Sequence, residues 1–380
     1  MSARLTDPSP LAWAPPSVAA GCPVNSHTEW DPLEEVIVGR LEGATVPASE
    51  AVSHRFPPLK RLAYKLLVGR PYPRLLVEPA QRQLAEFIRI LEGEGVRVRR
   101  PSVVEYRRRF GTPGWRTQGF CSACPRDGFL VIGDQIIEAP MSWRTRYYEM
   151  FAYRALFKEY FAAGARWVSA PRPELPDALY EAPDDDLVEG PPARYAVNEY
   201  EPVFDAADFV RCGRDLFYQR SNVTNRAGIE WLRRHLGDGY RLHEILSKCA
   251  NPKHIDTTFM PLAPGKVLVN PLWVDQATLP PILKSWDVLV APNPTPVTEF
   301  KLSLVRRVSM VSQWVALNVL MLDEQRVIVE KSQTDMQRSL RDWGFTPIPC
   351  DFLYYQPFGG SFHCATLDVR RRGVLQSYFP

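Results

Sequence analysis

Residues 129–168 read FLVIGDQIIEAPMSWRTRYYEMFAYRALFKEYFAAGARWV, and the architecture turns on them. Phe129-Leu130-Val131-Ile132 is an unbroken apolar run closed by Gly133, which reads as a short buried strand. Residues 143–164 read as a helix, and Arg166-Trp167-Val168 as a further strand. The same order returns on either side. Leu33–Gly39 is a strand, 77–95 a helix (Leu84, Phe87, Ile88, Ile90, Leu91) and Val96–Val98 a strand. Asp208–Phe217 gives strand and turn, and Ala227–Leu236 a helix. Val267–Val269, 277–285 and Asp287–Val290 repeat the order, as do Leu317–Leu322, 334–342 and Thr346–Ile348. A strand pair, helix and strand thus recur about five times without visible sequence identity, which indicates an α/β class. A period above about 50 residues favours a closed, propeller-like array over an open Rossmann sheet. No GxGxxG follows a strand and no Walker A sequence occurs, so nucleotide binding has no motif support.

The 380 residues include 36 Pro and 22 Gly, with 45% hydrophobic and 23% charged side chains. That composition excludes a disordered or fibrous chain. The length predicts two domains or one large repeated domain. Lys+Arg minus Asp+Glu is 46 − 43 = +3, too little to imply a nucleic-acid or anionic-membrane partner. No run of about 18 apolar residues is present to span a membrane. Residues 1–23 are expected to be a flexible Pro-rich lead without signal-peptide character. The acid-rich stretch 171–193 is expected to be a loop, and 55–74 a basic surface excursion. Seven irregularly spaced Cys argue against a disulfide framework and for reduced thiols in a cytoplasmic protein.

Chemistry-bearing residues lie in four places. Gly359-Gly360-Ser361-Phe362-His363-Cys364 places a thiol behind a glycine pair, ahead of an apolar run. A nucleophilic Cys needs a base and positive potential to lower its pKa, whereas a buried inert thiol is the commoner fate. His363 neighbours Cys364, but on a strand it would point to the opposite face. His254-Ile255-Asp256, read as a strand, would place His254 and Asp256 on one face, though an HxD pair alone is weak. Asp205 and Asp208 sit in an apolar run, where a carboxylate must find a partner. Asp205 could orient a His, and Asp208 could equally be a hydrogen-bonded turn residue. Asp127 precedes the strand at 129. One Cys, one His and several carboxylates suit a site that binds and attacks a cation. Carboxylates match a guanidinium in bidentate geometry.

The sequence resembles the arginine amidinotransferases, a family including glycine amidinotransferase and relatives in natural-product and toxin biosynthesis. The resemblance runs from Val24 to the C-terminus. It is carried by Val24–Gly39, Pro125-Arg126-Asp127, Ile136–Met141, Glu201–Asp208, His254-Ile255-Asp256, Asn318–Asp323, Gly360–Cys364 and Asp368–Gly373. It implies a pentein fold, a five-bladed ββαβ propeller with pseudo-fivefold symmetry, as one catalytic domain over 24–380. It further implies Cys364 as nucleophile, His254 as general acid/base and Asp205 as the carboxylate orienting it. Asp127, Asp256 and Ser312 would bind substrate. The implied reaction is ping-pong transfer of an amidino group from L-arginine to an amine, releasing ornithine. The acceptor would be glycine, lysine or a pathway amine. No metal, cofactor, membrane or nucleic acid is implied, and a homodimer is. The runner-up is a pentein guanidine hydrolase of the deiminase kind, and a non-enzymatic binding protein stands third. Three positions depart from the glycine-using pattern. Trp273 stands where relatives carry a carboxylate-gripping Arg, for which Arg306 or Arg307 could substitute. Lys253 stands in place of Met, and Val311 in place of Ser.

Overall fold

The computed structural model describes residues 21–48, 62, 65–181, 195–298 and 311–379. Most of the expected N-terminal lead, much of the basic excursion, residues 182–193 of the expected loop, and Arg306 and Arg307 lie outside them.

Five three-stranded sheets share one topology among the described residues. In the second, Phe129–Ile132 pairs antiparallel with Gln135–Glu138, which pairs parallel with Arg166–Ser169. The third joins Phe209–Cys212, Asp215–Tyr218 and Arg241–Glu244 in the same way. The fourth joins Phe259–Ala263, Lys266–Val269 and Asp287–Val290. The fifth joins Leu320–Met321, Arg326–Glu330 and Thr346–Cys350. The first sheet is assembled from both ends of the chain. Leu33–Val38 runs parallel to Arg97–Arg99 and antiparallel to Thr366–Arg371. The hairpins turn on Gly133 and Gly213, both with positive φ at the first of two turn residues, a position that glycine alone occupies without strain.

The crossover to each parallel strand carries the helix. Arg74–Gly93, Arg154–Ala162, Arg226–Leu236 and Thr334–Asp342 fill four crossovers. In the fourth sheet two 3₁₀ turns, Gln276–Thr278 and Pro281–Ser285, replace the helix. Pro280 and Pro281 supply no N–H donors, which explains the lost helix. The helix expected over 143–164 is also shorter. Its first half becomes the 3₁₀ turns Arg144–Arg146 and Glu149–Ala152, whose side chains Arg146 and Glu149 turn inward and bond each other.

The strands read as continuous apolar runs because both faces are covered. Phe129 and Val131 pack with Tyr153 and Phe157 of the sheet's own helix region, while Leu130 and Ile132 pack with Phe209, Leu216 and Ile229 of the next sheet. Among the described residues no helix is long and apolar enough to cross a membrane.

Candidate active site

In each of the five units a turn lies just before the first hairpin strand, and every one of these turns delivers a side chain to one cavity. The turn Pro125–Gly128 carries Asp127, and Asp205 caps the turn Ala206–Asp208. His254 and Asp256 flank Ile255 at the turn Ile255–Thr257. Ser312 and Asn318 bracket the turn Gln313–Leu317, and Cys364 ends the last turn before Thr366. The cavity has a volume of about 420 Å³ and is lined by Asp127, Asp205, His254, Asp256, Ser312 and Cys364 together. All six residues singled out from sequence therefore converge. The strand expected at 254–256 is instead a turn. His254 has φ 49°, so the pair shares the pocket through a sharp bend and not through strand alternation.

Cys364 is 2% exposed. Asn318 holds it from two sides: its Nδ2 donates to Sγ at 3.1 Å, and its Oδ1 accepts from the Cys364 N–H at 3.0 Å. The thiol lies 3.3 Å from Asp256 Oδ2. The surroundings do not lower its pKa as expected for a nucleophilic Cys. Burial, then the Asp256 and Asp127 charges, push the thiol well above its ordinary value. The site without substrate therefore holds a neutral thiol.

His254 Nε2 lies 3.0 Å from Asp205 Oδ2, and Nδ1 lies 3.6 Å from Asp127 Oδ1. Burial disfavours the charged ring, but Asp127, Asp205 and Asp208 outweigh it and lift the pKa to about 10. Asp208 does not touch the ring. It accepts from Ser221 and Thr224 hydroxyls at 2.6 Å each and from Gln219 at 3.2 Å. This is the hydrogen-bonded turn role, with burial raising its carboxyl to about 7.

Asp127 is bound from behind by Arg146 at 2.6 Å. Arg146 also grips both Glu149 oxygens at 2.7 and 3.0 Å and stacks 4.9 Å over Phe120. One oxygen each of Asp127, Asp205 and Asp256 is buried without a hydrogen-bond partner. Leaving such atoms unpaired costs about 1–3 kcal/mol apiece, so they await a donor-rich ligand. Asp127, His254 and Cys364 each offer an atom within 4.8 Å of the others. Of the three, only the Cys364 sulfur has its offered atom fully engaged, by Asn318 and Asp256.

Around the mouth, Lys253 lies 4.8 Å over the Trp143 ring, and Trp273 stands 6.3 Å from Trp314. Ser312 is exposed, its hydroxyl accepting from the Trp314 N–H at 3.2 Å. Sequence reasoning missed Arg146 and Trp143, which line the cavity, and Asn318, which holds the thiol. Asn318 left a usable signal, being a lone polar residue amid Leu317, Val319 and Leu320.

Gly360 shows how tightly the thiol is packed. A Cβ there would stand 2.5 Å from Cys364 Sγ and 2.4 Å from its Cβ. Gly360→Ala is expected to push Sγ off Asn318, cutting kcat about 100-fold or more and costing about 1–3 kcal/mol in stability. Steady-state kinetics alongside thermal melts check this, and unchanged kcat would refute it.

No family model matches the chain. The L-arginine:L-lysine amidinotransferase of Pseudomonas savastanoi pv. phaseolicola is 47% identical over 360 residues, 94% of this chain and 96% of that one. The mitochondrial glycine amidinotransferase of Danio rerio is 42% identical over 373 residues, 96% and 87% of the two chains. Among solved structures, SxtG, an amidinotransferase of the Microseira wollei saxitoxin pathway, superposes with a TM-score of 0.85 at 57% identity, covering 94% of this chain and all of that one. A dimethylarginine dimethylaminohydrolase shares only the fold, at a TM-score of 0.54 and 14% identity over 88% of this chain and 99% of that one. The fold is the mixed α/β pentein fold, and the molecule is a transferase. The chain belongs to the amidinotransferase family.

Proposed function

We propose that the donor is L-arginine, that Cys364 carries its amidino group as a covalent intermediate, and that an acceptor amine receives it after ornithine leaves. The observation that carries this reading is the set of buried oxygens without a hydrogen bond on Asp127, Asp205 and Asp256 in the cavity of one buried thiol. A guanidinium brings donors to all sides in one plane and a positive charge to the centre. That charge supplies what the residues around Cys364 do not. It offsets the carboxylates that keep Cys364 neutral, so the thiol releases its proton to solvent and the thiolate forms when the substrate is in place, His254 keeping its own proton.

Cys364 Sγ then bonds to the guanidinium carbon, and His254 gives its proton to the departing nitrogen as the carbon–nitrogen bond breaks. Ornithine departs, leaving an amidino-Cys. The acceptor amine loses a proton to His254 and attacks, and the carbon–sulfur bond breaks to return the thiolate. Kinetics would be ping-pong, with no cofactor or metal. The acceptor we favour is bulkier than glycine. The mouth is walled by Trp143, Trp273, Val311 and Val315, and position 273 offers no cation for a small amino acid's carboxylate. Along with this reading go a propeller of five blades around the cavity, one catalytic domain over 24–380, and a cytoplasmic homodimer.

The test is product mass spectrometry after incubating arginine with glycine, lysine, 4-aminobutyrate and aminocyclitols in turn. Ornithine release that requires one amine supports the reading. Citrulline or urea formed steadily without any amine would replace it with the hydrolase.

A further inference from the structure

His363 is buried, and the chemistry above gives it no task. Its ring nitrogens each meet a carboxylate. Nδ1 lies 2.9 Å from Asp256 Oδ2, and Nε2 lies 3.1 Å from Glu29 Oε2. Glu29 is fixed as an anion: Arg211 grips it through two bonds, at 2.8 and 2.9 Å, and Arg126 stands 3.7 Å away. These partners hold Glu29 well below the usual carboxylate range although burial opposes it, and Asp256 is likewise held below despite its burial. Ionised carboxylates only accept hydrogen bonds, and an imidazole donates from both nitrogens only when doubly protonated. The geometry thus points both ring nitrogens of His363 at carboxylate oxygens, as donors between two anions.

We infer that His363 is a positioning residue for amidino transfer: it holds Asp256 by Oδ2, the oxygen beside the Cys364 sulfur, and draws that carboxylate's charge away from the thiol. Asp256 Oδ1 is then left for the donor's guanidinium. The inference rests on Cys364 being the nucleophile. Charged groups reach this cluster from every element packed on it. Glu29 comes from the chain start, Asp256 from the turn Ile255–Thr257, and Arg126 from the turn Pro125–Gly128, its Nε donating to the His363 carbonyl at 3.3 Å. Arg211 of the strand Phe209–Cys212 lies behind Glu29 and also binds Asp368, which Arg126 and Arg371 share. On the far side of Cys364 stand Asp127 and His254.

The test alkylates the full-length protein with iodoacetamide from pH 7 to 9 and follows the Cys364 peptide by mass spectrometry. His363→Gln is expected to slow Cys364 alkylation about tenfold at each pH, as a one-unit rise in its pKa would. Arginine KM should rise and kcat fall while the melting temperature stays close to that of the original protein. An unchanged alkylation rate, with activity lost only in step with folded protein, would reduce His363 to a structural spacer. Should His363→Gln not fold, side-chain nitrogen NMR of histidine-labelled His254→Asn protein decides. The two ring nitrogens of His363 must both carry hydrogens facing Asp256 and Glu29, and finding either one bare overturns the inference. The alkylation and NMR readouts need no turnover, so absence of arginine-dependent transfer would sink the proposed function while those two readouts still decide whether His363 acts on Cys364 through Asp256.

Discussion

Cys364→Ser is expected to lower amidino transfer by about four orders of magnitude or more while arginine binding survives. A serine hydroxyl fits the same space and keeps contact with Asn318 and Asp256. It does not ionise when the guanidinium arrives, because its pKa starts far above that of a thiol. In the proposed function the cation is gripped by Asp127, Asp205 and Asp256, and the substitution leaves all three carboxylates in place. Calorimetry with arginine should therefore give a dissociation constant within a few-fold of the original, and intact-protein mass spectrometry should find no amidino adduct. Appreciable residual transfer by this variant would remove Cys364 from the reaction.

His254→Asn is expected to cost about 10²–10⁴-fold in kcat, the usual worth of a positioned acid/base. Asparagine retains a hydrogen bond to Asp205 but cannot carry a proton to the leaving nitrogen. The loss should be smaller for a donor whose leaving group needs no proton. S-methylisothiourea compounds, which expel a thiol, test this, and an equal loss for both donors would refute the role. A stability signature accompanies it. The folded pKa of about 10 lies above the unfolded value of about 6.5, so the folded state holds the proton more tightly. That contribution is fully present below about pH 6.5 and is lost as pH rises through about 10. Denaturant melts of the original protein should weaken across that window more steeply than those of His254→Asn, and parallel curves would contradict the assignment.

The repeated order of strand pair, helix and strand was legible because each strand is covered on both faces, which writes a continuous apolar run such as 129–132 into the chain. The helices at 226–236 and 334–342 were equally plain. The crossover at 276–285 misled, since two prolines break an otherwise apolar segment into 3₁₀ turns. The residues of the site were named by resemblance, and their types alone suggested a cation site. Their geometry was not legible. His254 and Asp256 were read as strand neighbours, yet a positive φ at His254 brings them together. Arg146 was hidden inside a segment read as helix, although it holds Asp127 in place.

By itself, the sequence determined the α/β class, the recurrence of the unit, the family and the identity of the thiol, histidine and carboxylates. Those depend on local patterning and on motifs. Tertiary structure alone decided how five turns, separated by roughly 50–80 residues, meet in one cavity. It also decided the charge state of the site. Whether a thiol is raised or lowered depends on which carboxylates and guanidiniums lie within a few ångströms. Glu29, Arg211 and Asp368 reach that neighbourhood from the start, the middle and the end of the chain, so no local reading of the sequence places them there.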